Sequence, residues 1–141
     1  MEIREAKEED IGAILALQTQ IYRTEKIADG AEEALKNQLR DETCNVLIAQ
    51  ENGKIIATST IYLIEVAIRN QPYALFEGLV VDKGERGKGT GTAMLNKMIE
   101  VARAKNCYKI IFTSGTDRLD AHKLYEKLGF KKWGLEFRMD L

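Results

Sequence analysis

The residues best suited to chemistry form a glycine-rich loop with two basic side chains, Arg86-Gly87-Lys88-Gly89-Thr90-Gly91-Thr92. An apolar, strand-like segment precedes this loop, and a segment with helical periodicity follows it. The first N–H groups of a helix have no intrahelical acceptor and lie at the positive end of its dipole. The loop therefore indicates an anion site for a phosphate. The alternative is a solvated basic turn in which glycine supplies only flexibility.

The glycine spacing excludes two common phosphate motifs. The dinucleotide fingerprint needs a glycine three residues after its second glycine, and Thr92 stands there. A P-loop needs serine or threonine directly after its lysine, whereas Gly89 follows Lys88. Any phosphate bound here therefore belongs to a different class of ligand.

The elements that must position the loop follow from periodicity and turn signals. A strand at 2–6 is followed by helices from Glu8 to Tyr22 and over 30–40. Residues 44–82 then read as an antiparallel meander, with turns at Asn52-Gly53 and Asn70-Gln71-Pro72. After the loop we expect a helix over 90–105, a strand over 108–112, a helix over 119–128 and one or two closing strands within 130–141. This order predicts an α/β fold of the mixed α+β kind, in one domain spanning 1–141.

Composition limits the partners of the protein. The chain has 141 residues, 45% of them hydrophobic and 30% charged, with a net charge of −1. This balance does not favour nucleic acid or an anionic membrane. No apolar run is long enough for a membrane helix, and the charged N-terminus lacks a signal-peptide core. Two isolated cysteines fit a cytoplasmic protein with reduced thiols, and no spacing suggests a metal site.

Two residues with reactive side chains stand alone. His122 is the only histidine, and on its helix it is expected to face solvent rather than act as a base. Cys107 has no histidine partner in its neighbourhood of the sequence, so we interpret it as a core residue and not as a nucleophile.

Three segments resemble the GNAT superfamily of acyl-CoA-dependent N-acyltransferases. The loop matches the pattern R-x-x-G-x-G at Arg86, Gly89 and Gly91. The preceding strand matches E-x-L-V-V-x at 77–82, and A-x-x-x-Y-x-x-x-G-F is matched at 121–130. The opening strand and helix, Ile3 to Tyr22, also read as the start of the family. Together these segments cover nearly the whole chain in the order of the family.

The resemblance implies a GNAT-like three-layer fold, with a mainly antiparallel mixed sheet and helices on both faces. Its central strands, here 74–82 and 107–113, would splay apart to admit the pantetheine arm of acetyl-CoA. The backbone of Leu79, Val80 and Val81 would pair with pantetheine. The amides of residues 87–92 would bind the pyrophosphate of coenzyme A, flanked by Arg86 and Lys88.

The resemblance also implies roles in acetyl transfer. Glu77 is the candidate base that removes a proton from the amine, with an exposed or rim glutamate as the alternative. Tyr125 is the candidate donor to the departing thiolate, with a core aromatic as the alternative. A phenol has a pKa of about 10 and a thiol about 8.5, so full transfer of the proton to the thiolate is uphill. A hydrogen bond short of transfer already stabilises the thiolate. Many members carry asparagine where this chain has Arg118, which becomes a candidate phosphate contact instead.

The acceptor and the assembly stay open at this stage. The segments expected to select the acceptor, 23–30 and 131–141, mix charges, so a small-molecule or a peptide amine fits equally well. A non-catalytic acyl-CoA-binding or regulatory module of the same fold is the alternative function. Pairing of the last strand across a homodimer is a further expectation.

Overall fold

A computed structural model describes residues 1–141. Its contacts group the chain into two compact units, residues 1–111 and 112–141, which are described separately. The strands are β1 (Glu2–Glu5), β2 (Cys44–Glu51), β3 (Lys54–Val66), β4 (Gln71–Val81) and β5 (Ile110–Ile111). The helices are α1 (Ile11–Tyr22), α2 (Ala31–Arg40), α3 (Thr90–Ala104) and α4 (Leu119–Lys127). None of the helices has the length and apolar character needed to cross a membrane.

The five strands form one sheet in the order β1-β2-β3-β4-β5. Neighbours pair antiparallel except β4 and β5, which are parallel and are connected through α3. A parallel pair requires such a crossover connection, whereas the antiparallel strands need only short turns. The predicted mixed, mainly antiparallel sheet is confirmed. β5 is shorter than predicted, with the ladder limited to Ala74–Ile110 and Leu75–Ile111.

The turn between β2 and β3 has the predicted hairpin geometry. Asn52 and Gly53 both adopt positive φ, at 50° and 78°. Two consecutive residues with positive φ match the right-handed twist of the flanking strands, which is why Asn-Gly is favoured there. This turn sets the register in which Glu51 pairs with Lys54.

Helices cover both faces of the sheet within residues 1–111. On one face, α1 and α2 bury a core with alternate residues of β2; its members are Ile11, Ile14, Leu15, Leu35, Cys44, Val46 and Ile48. The residues that alternate with these along β2 point to the opposite face. There α3 packs on β2, β3 and β4 and contributes the fully buried Met94 and Met98.

The turn before β4 lies earlier than predicted. Residues 67–69 form a single 3-10 turn that ends at Asn70 in the left-handed conformation, with φ of 47°. Pro72 therefore lies inside β4, where it pairs with Glu65. Proline is tolerated near the start of a strand because its carbonyl still accepts, here from the Tyr108 N–H at 3.0 Å.

The start of α1 is held by a buried acidic residue. Asp10 closes a 3-10 turn over Glu8–Asp10 and is only 4% exposed. Its carboxylate accepts two hydrogen bonds from Arg4, at 2.7 and 3.0 Å, and one from the Lys7 N–H at 2.7 Å. The hydrogen bonds from Arg4 hold the pKa of Asp10 below its ordinary value. A buried carboxylate needs such partners because its desolvation is costly.

In the second unit, α4 ends as predicted at a glycine. Gly129 has φ of 98°, and its N–H donates to the Glu126 carbonyl at 3.0 Å. The Phe130 N–H donates to the Tyr125 carbonyl at 3.0 Å. These two bonds form a Schellman motif, in which glycine avoids the steric cost of the left-handed conformation.

The predicted closing strands are not formed. Residues 130–141 have no regular secondary structure, although apolar and other residues alternate from Trp133 to Leu141. Alternation shows that a segment suits a strand, but a strand also needs a hydrogen-bonding partner. The sequence prediction was therefore wrong for this segment.

Candidate functional site

The glycine-rich loop lies between the end of β4 and the start of α3. A 3-10 turn over Lys83–Glu85 leads into it, and Gly89 is the N-cap of α3. Gly87 and Gly89 both adopt left-handed conformations, with φ of 78° and 87°. Residues with side chains rarely adopt this conformation, so the glycines are required by the backbone path. The path ends in the first turn of α3, whose N–H groups are the donors that favour anions.

The loop is anchored by polar contacts of Asp82 with two other elements. The Asp82 N–H donates to the Ile56 carbonyl at 2.8 Å. Its carboxylate accepts from Lys54 at 2.7 Å and from Gln20 at 3.2 Å. The Lys83 N–H in turn donates to the Gln20 side chain at 3.2 Å. The start of the loop is thus tied to β3 and α1.

The basic side chains of the loop make internal contacts. Arg86 Nε donates to the Val81 carbonyl at 3.0 Å, and Lys88 Nζ lies 2.7 Å from Glu85 Oε2. The hydrogen bond that Lys88 donates to Glu85 raises the pKa of Lys88. Thr90 is buried and 4% exposed. An anion at this loop would therefore be met mainly by backbone N–H groups, with the two basic side chains at its edge.

β4 carries a β-bulge directly after Glu77. Thr60 pairs with Glu77 and Thr58 with Val80, so two residues of β4 oppose one residue of β3. Gly78 supplies the positive φ, 65°, that this type of bulge requires. Its N–H donates to Glu77 Oε1 at 3.2 Å. Sequence reasoning did not find the bulge, although a glycine inside a strand pattern is a signal for one.

Tyr22 and Tyr62 surround Glu77, and sequence reasoning assigned neither a role. Burial first and then the negative charge of Glu77 raise the pKa of the Tyr22 hydroxyl, with a hydrogen bond to Glu77 as the smallest contribution. Burial, then Cys44, then Glu77 raise the pKa of Tyr62. Gln38 of α2 donates to the Tyr62 hydroxyl at 3.1 Å. Tyr22, Gln38, Tyr62 and Glu77 thus form a cluster on the face of the sheet covered by α1 and α2.

In the second unit, Tyr125 lies in an aromatic cluster. Its ring centroid is 4.7 Å from that of Phe112 in an edge-to-face arrangement, and Phe112 meets Phe130 in the same way at 4.9 Å. His122 is half-buried rather than solvent-facing, with its ring centroid 6.3 Å from that of Tyr125. Arg118 is the exposed N-cap residue of α4. The expectation for His122 was therefore only partly right, because α4 turns it toward Tyr125.

The sequence model of the Acetyltransferase (GNAT) family matches residues 11–130, most of the chain. The protein belongs to the GNAT family.

Relatives of this GNAT protein are enzymes by name. It is 29% identical over 145 aligned residues to a glucosamine 6-phosphate N-acetyltransferase of Trypanosoma brucei brucei, covering 100% of this chain and 96% of the relative. It is 30% identical over 139 residues to the thialysine N-epsilon-acetyltransferase of Bos taurus, covering 90% and 82%. The GNAT protein is accordingly an acetyltransferase.

A solved structure confirms the fold class. A putative acetyltransferase from Agrobacterium tumefaciens superposes with a TM-score of 0.90 at 26% identity, covering 100% of both chains. The α/β fold inferred from the sequence, with a mixed sheet and helices, is therefore the GNAT fold.

Both cysteines of this GNAT protein are free thiols. Cys44 is buried, and burial followed by the charge of Asp41 raises its pKa to about 11. Cys107 is half-buried rather than fully in the core, and burial followed by Glu65 raises its pKa. A nucleophilic cysteine needs a lowered pKa, so neither thiol is suited to covalent catalysis.

Proposed function

We propose that this acetyltransferase moves the acetyl group of acetyl-CoA to a primary amine of a small molecule or peptide by direct attack. The observation that carries the proposal is that one strand, β4, bears Glu77 and leads into the left-handed glycine loop that opens α3. This continuity supports the proposal, because the candidate base and the candidate anion site then belong to one segment of the chain. Acetyl-CoA would supply the activated acetyl thioester.

The loop fits the pyrophosphate of coenzyme A. Gly87 and Gly89 have nothing within 4 Å of the positions where a Cβ would stand, which leaves space on the side of the loop where a side chain would lie. The donors would be the backbone N–H groups of Gly87, Lys88, Gly89, Thr90, Gly91 and Thr92. Arg86 and Lys88 would add positive charge after exchanging their present contacts, and Arg118 is proposed as a further phosphate contact.

The end of β4 is proposed to bind the pantetheine arm. Leu79, Val80 and Val81 follow the bulge, where two residues of β4 oppose one of β3. A bulge changes the local direction of a strand and is common beside active sites. Their backbone groups would pair with the amides of pantetheine as an added strand does.

Three protein groups would carry the chemistry. Glu77 would accept the proton of the amine directly or through water, because a free ammonium has a pKa of about 10 and cannot attack. Backbone N–H groups near Val80 and Val81 would stabilise the negative charge that develops on the carbonyl oxygen. Tyr125 would donate a hydrogen bond to the departing thiolate. Cysteine chemistry is not needed.

The proposed acceptor is a primary amine, without a more specific identity. The trypanosomal relative is named for an amino sugar phosphate and the bovine relative for an amino acid. Glucosamine 6-phosphate, thialysine and a peptide with a free α-amine therefore form a suitable acceptor panel. Release of free thiol from acetyl-CoA measures turnover with each of them.

Three further statements stay predictions. A single domain over 1–141 is supported by the family match, which extends across both compact units. A cytoplasmic location is expected from the free cysteines. A homodimer formed through residues 130–141 is supported by their alternating pattern and by the exposure of Trp133 and Phe137, each 91%.

Calorimetric titration with acetyl-CoA tests the donor site. Gly89→Glu would place a carboxylate at the proposed phosphate site and is expected to weaken binding at least about tenfold through charge repulsion. Gly30→Glu is a matched control, because Gly30 is also a helix N-cap, with φ of 82° and nothing within 4 Å of its Cβ position. One-site binding that is lost only in Gly89→Glu supports the proposal. Absence of binding to folded wild-type protein would overturn it.

A further inference from the structure

The phenol ring of Tyr22 reaches the bulge of β4 from the end of α1. Tyr22 is the last residue of α1, and Arg23 ends the helix in the left-handed conformation, with φ of 53°. The Tyr22 hydroxyl lies 3.1 Å from the point where a Cβ on Gly78 would stand. The residue as a whole is 53% exposed, yet its hydroxyl lies against the backbone of residue 78.

This orientation is unusual for packing alone. A half-exposed tyrosine that served only as an apolar cover would keep its hydroxyl in water, since a buried hydroxyl without a partner costs free energy. Here the hydroxyl is directed at the residue next to Glu77. The bulge also needs glycine at position 78 for its positive φ, so the same residue makes room for the Tyr22 hydroxyl.

The hydroxyl and the carboxylate interact. Burial and the negative charge of Glu77 both raise the pKa of Tyr22, so the hydroxyl remains protonated and can donate. The Gly78 N–H donates to Glu77 Oε1 at 3.2 Å. Residue 78 thus touches both groups, since its N–H donates to the carboxylate and its Cα side lies against the Tyr22 hydroxyl, on the face of the sheet covered by α1 and α2.

We infer that Tyr22 is a positioning residue that holds the Glu77 carboxylate toward the incoming amine. This inference rests on the proposed role of Glu77 as the base. The exposed Glu77 side chain has several free torsions, and a general base must lie within hydrogen-bond reach of the proton it accepts. A donor at the end of α1 restricts the carboxylate to fewer conformers, which favours proton transfer without contributing to the binding of acetyl-CoA.

The test is a double-mutant cycle with Tyr22→Phe and Glu77→Gln, assayed with the panel amine that gives the highest turnover. Tyr22→Phe keeps the ring and is expected to lower kcat about tenfold, less than the roughly hundredfold loss expected for a removed general base. The KM for acetyl-CoA should change less than about twofold, because the hydroxyl does not contribute to donor binding. In the Glu77→Gln background, Tyr22→Phe should cause no further loss.

Tyr73→Phe is the matched control. Tyr73 lies on the same strand as Glu77, and its ring packs edge-to-face on Tyr108 at 6.4 Å. Removing its hydroxyl should leave kcat unchanged. If Tyr22→Phe and Tyr73→Phe have equal effects, or if the losses from Tyr22→Phe and Glu77→Gln multiply, Tyr22 does not act through Glu77 and the inference is wrong.

A spectroscopic measurement separates this inference from the proposed function. The carboxyl ¹³C resonance of Glu77, assigned by its loss in Glu77→Gln, should move in Tyr22→Phe and stay in place in Tyr73→Phe. If the chemical shift of Glu77 does not change in Tyr22→Phe, the inference is overturned even if the enzyme acetylates amines. The resonance of Glu77 can instead move in Tyr22→Phe while the protein releases no thiol with any amine, or while Glu77→Gln keeps full kcat. Either result overturns the role of Glu77 as the base and leaves the contact between Tyr22 and Glu77 established.

Discussion

The hydroxyl oxygen of Tyr22 and the backbone of Gly78 are so close that a methyl group on residue 78 would meet the hydroxyl at 3.1 Å. This contact joins α1 to the bulge of β4, directly beside the candidate base. Position 78 therefore requires glycine for two reasons, the positive φ and the lack of space for a side chain. Each can be tested separately because the chain offers a glycine that has only the first requirement.

Gly78→Ala is expected to lower the free energy of unfolding by more than Gly53→Ala. Both residues have positive φ, 65° and 78°, so both changes cost about 1–2 kcal/mol in backbone strain. Only the alanine at 78 also meets Tyr22, because nothing lies within 4 Å of the Cβ position of Gly53. Urea denaturation of the two variants measures the difference.

Tyr22→Phe supplies the control for that contact. The other nearby atoms of the ring, Cζ and Cε2, lie 3.9 and 4.0 Å from the Cβ position, which is ordinary van der Waals contact. Gly78→Ala is expected to lose more free energy of unfolding than Gly53→Ala does. Adding Tyr22→Phe to Gly78→Ala should therefore recover this additional loss. No recovery would mean that backbone strain alone explains the cost.

Tyr125→Phe should reduce kcat while leaving acetyl-CoA affinity within about twofold of wild type. The phenylalanine ring can keep the edge-to-face contact with Phe112, so the loss reports the hydroxyl and not the packing. We expect a decrease of about a hundredfold, the lower end of the range for a general acid. Stopped assays at saturating acetyl-CoA give kcat, and calorimetry gives the affinity. Unchanged kcat would return Tyr125 to a purely structural role.

Asp10→Asn should destabilise the protein at neutral pH and remove part of its acid sensitivity. Hydrogen bonds from Arg4 hold the folded-state pKa of Asp10 below its ordinary value of about 3.9. The unfolded chain then binds more protons than the folded protein below about pH 5, so this contribution is complete above that pH and is lost as the pH falls through the lowered pKa. Losing charged hydrogen bonds costs about 1–3 kcal/mol.

Glu8→Gln is the comparison for Asp10. Glu8 makes ion pairs with Lys36 at 3.2 Å and Arg40 at 2.9 Å, but its side chain is 53% exposed. Exposed ion pairs contribute little because water screens them. Between pH 3 and 7, the free energy of unfolding should therefore change more with pH in wild type than in Asp10→Asn. Glu8→Gln should show a pH dependence close to that of wild type. If the free energies of unfolding of wild type and Asp10→Asn have the same pH dependence, the role given to Asp10 is contradicted.

The C-terminal segment is expected to mediate self-association. Phe137→Glu places a charge in the apolar row of residues 133–141 and should shift any dimer toward monomer in light scattering after size-exclusion chromatography. Glu136→Gln changes the neighbouring, charged row and should leave the mass unchanged. A wild-type protein that is monomeric at all tested concentrations would contradict the homodimer.

Local signals in the sequence were sufficient wherever the structure depends on neighbouring residues. The hairpin at Asn52-Gly53, the C-cap glycine at 129 and the helix after the glycine loop were predicted because each depends on φ preference or helical spacing within a few positions. The sequence predicts the turn before β4 at Asn70-Gln71-Pro72, but the chain turns over 67–70 and Pro72 lies in the strand. The closing strands were mispredicted because alternation does not specify a partner.

The sequence by itself determined the family, the glycine loop and the order of the elements up to α4, since these rest on residue types at short spacings. Only the tertiary structure decided which residues surround Glu77. Tyr22 lies far from Glu77 along the chain, and they meet because α1 packs on β3 and β4 and ends at the bulge. A register shift of one residue and the length of one helix set that contact. Neither quantity can be read from local preferences, because both result from how the apolar faces of α1 and the sheet pack together.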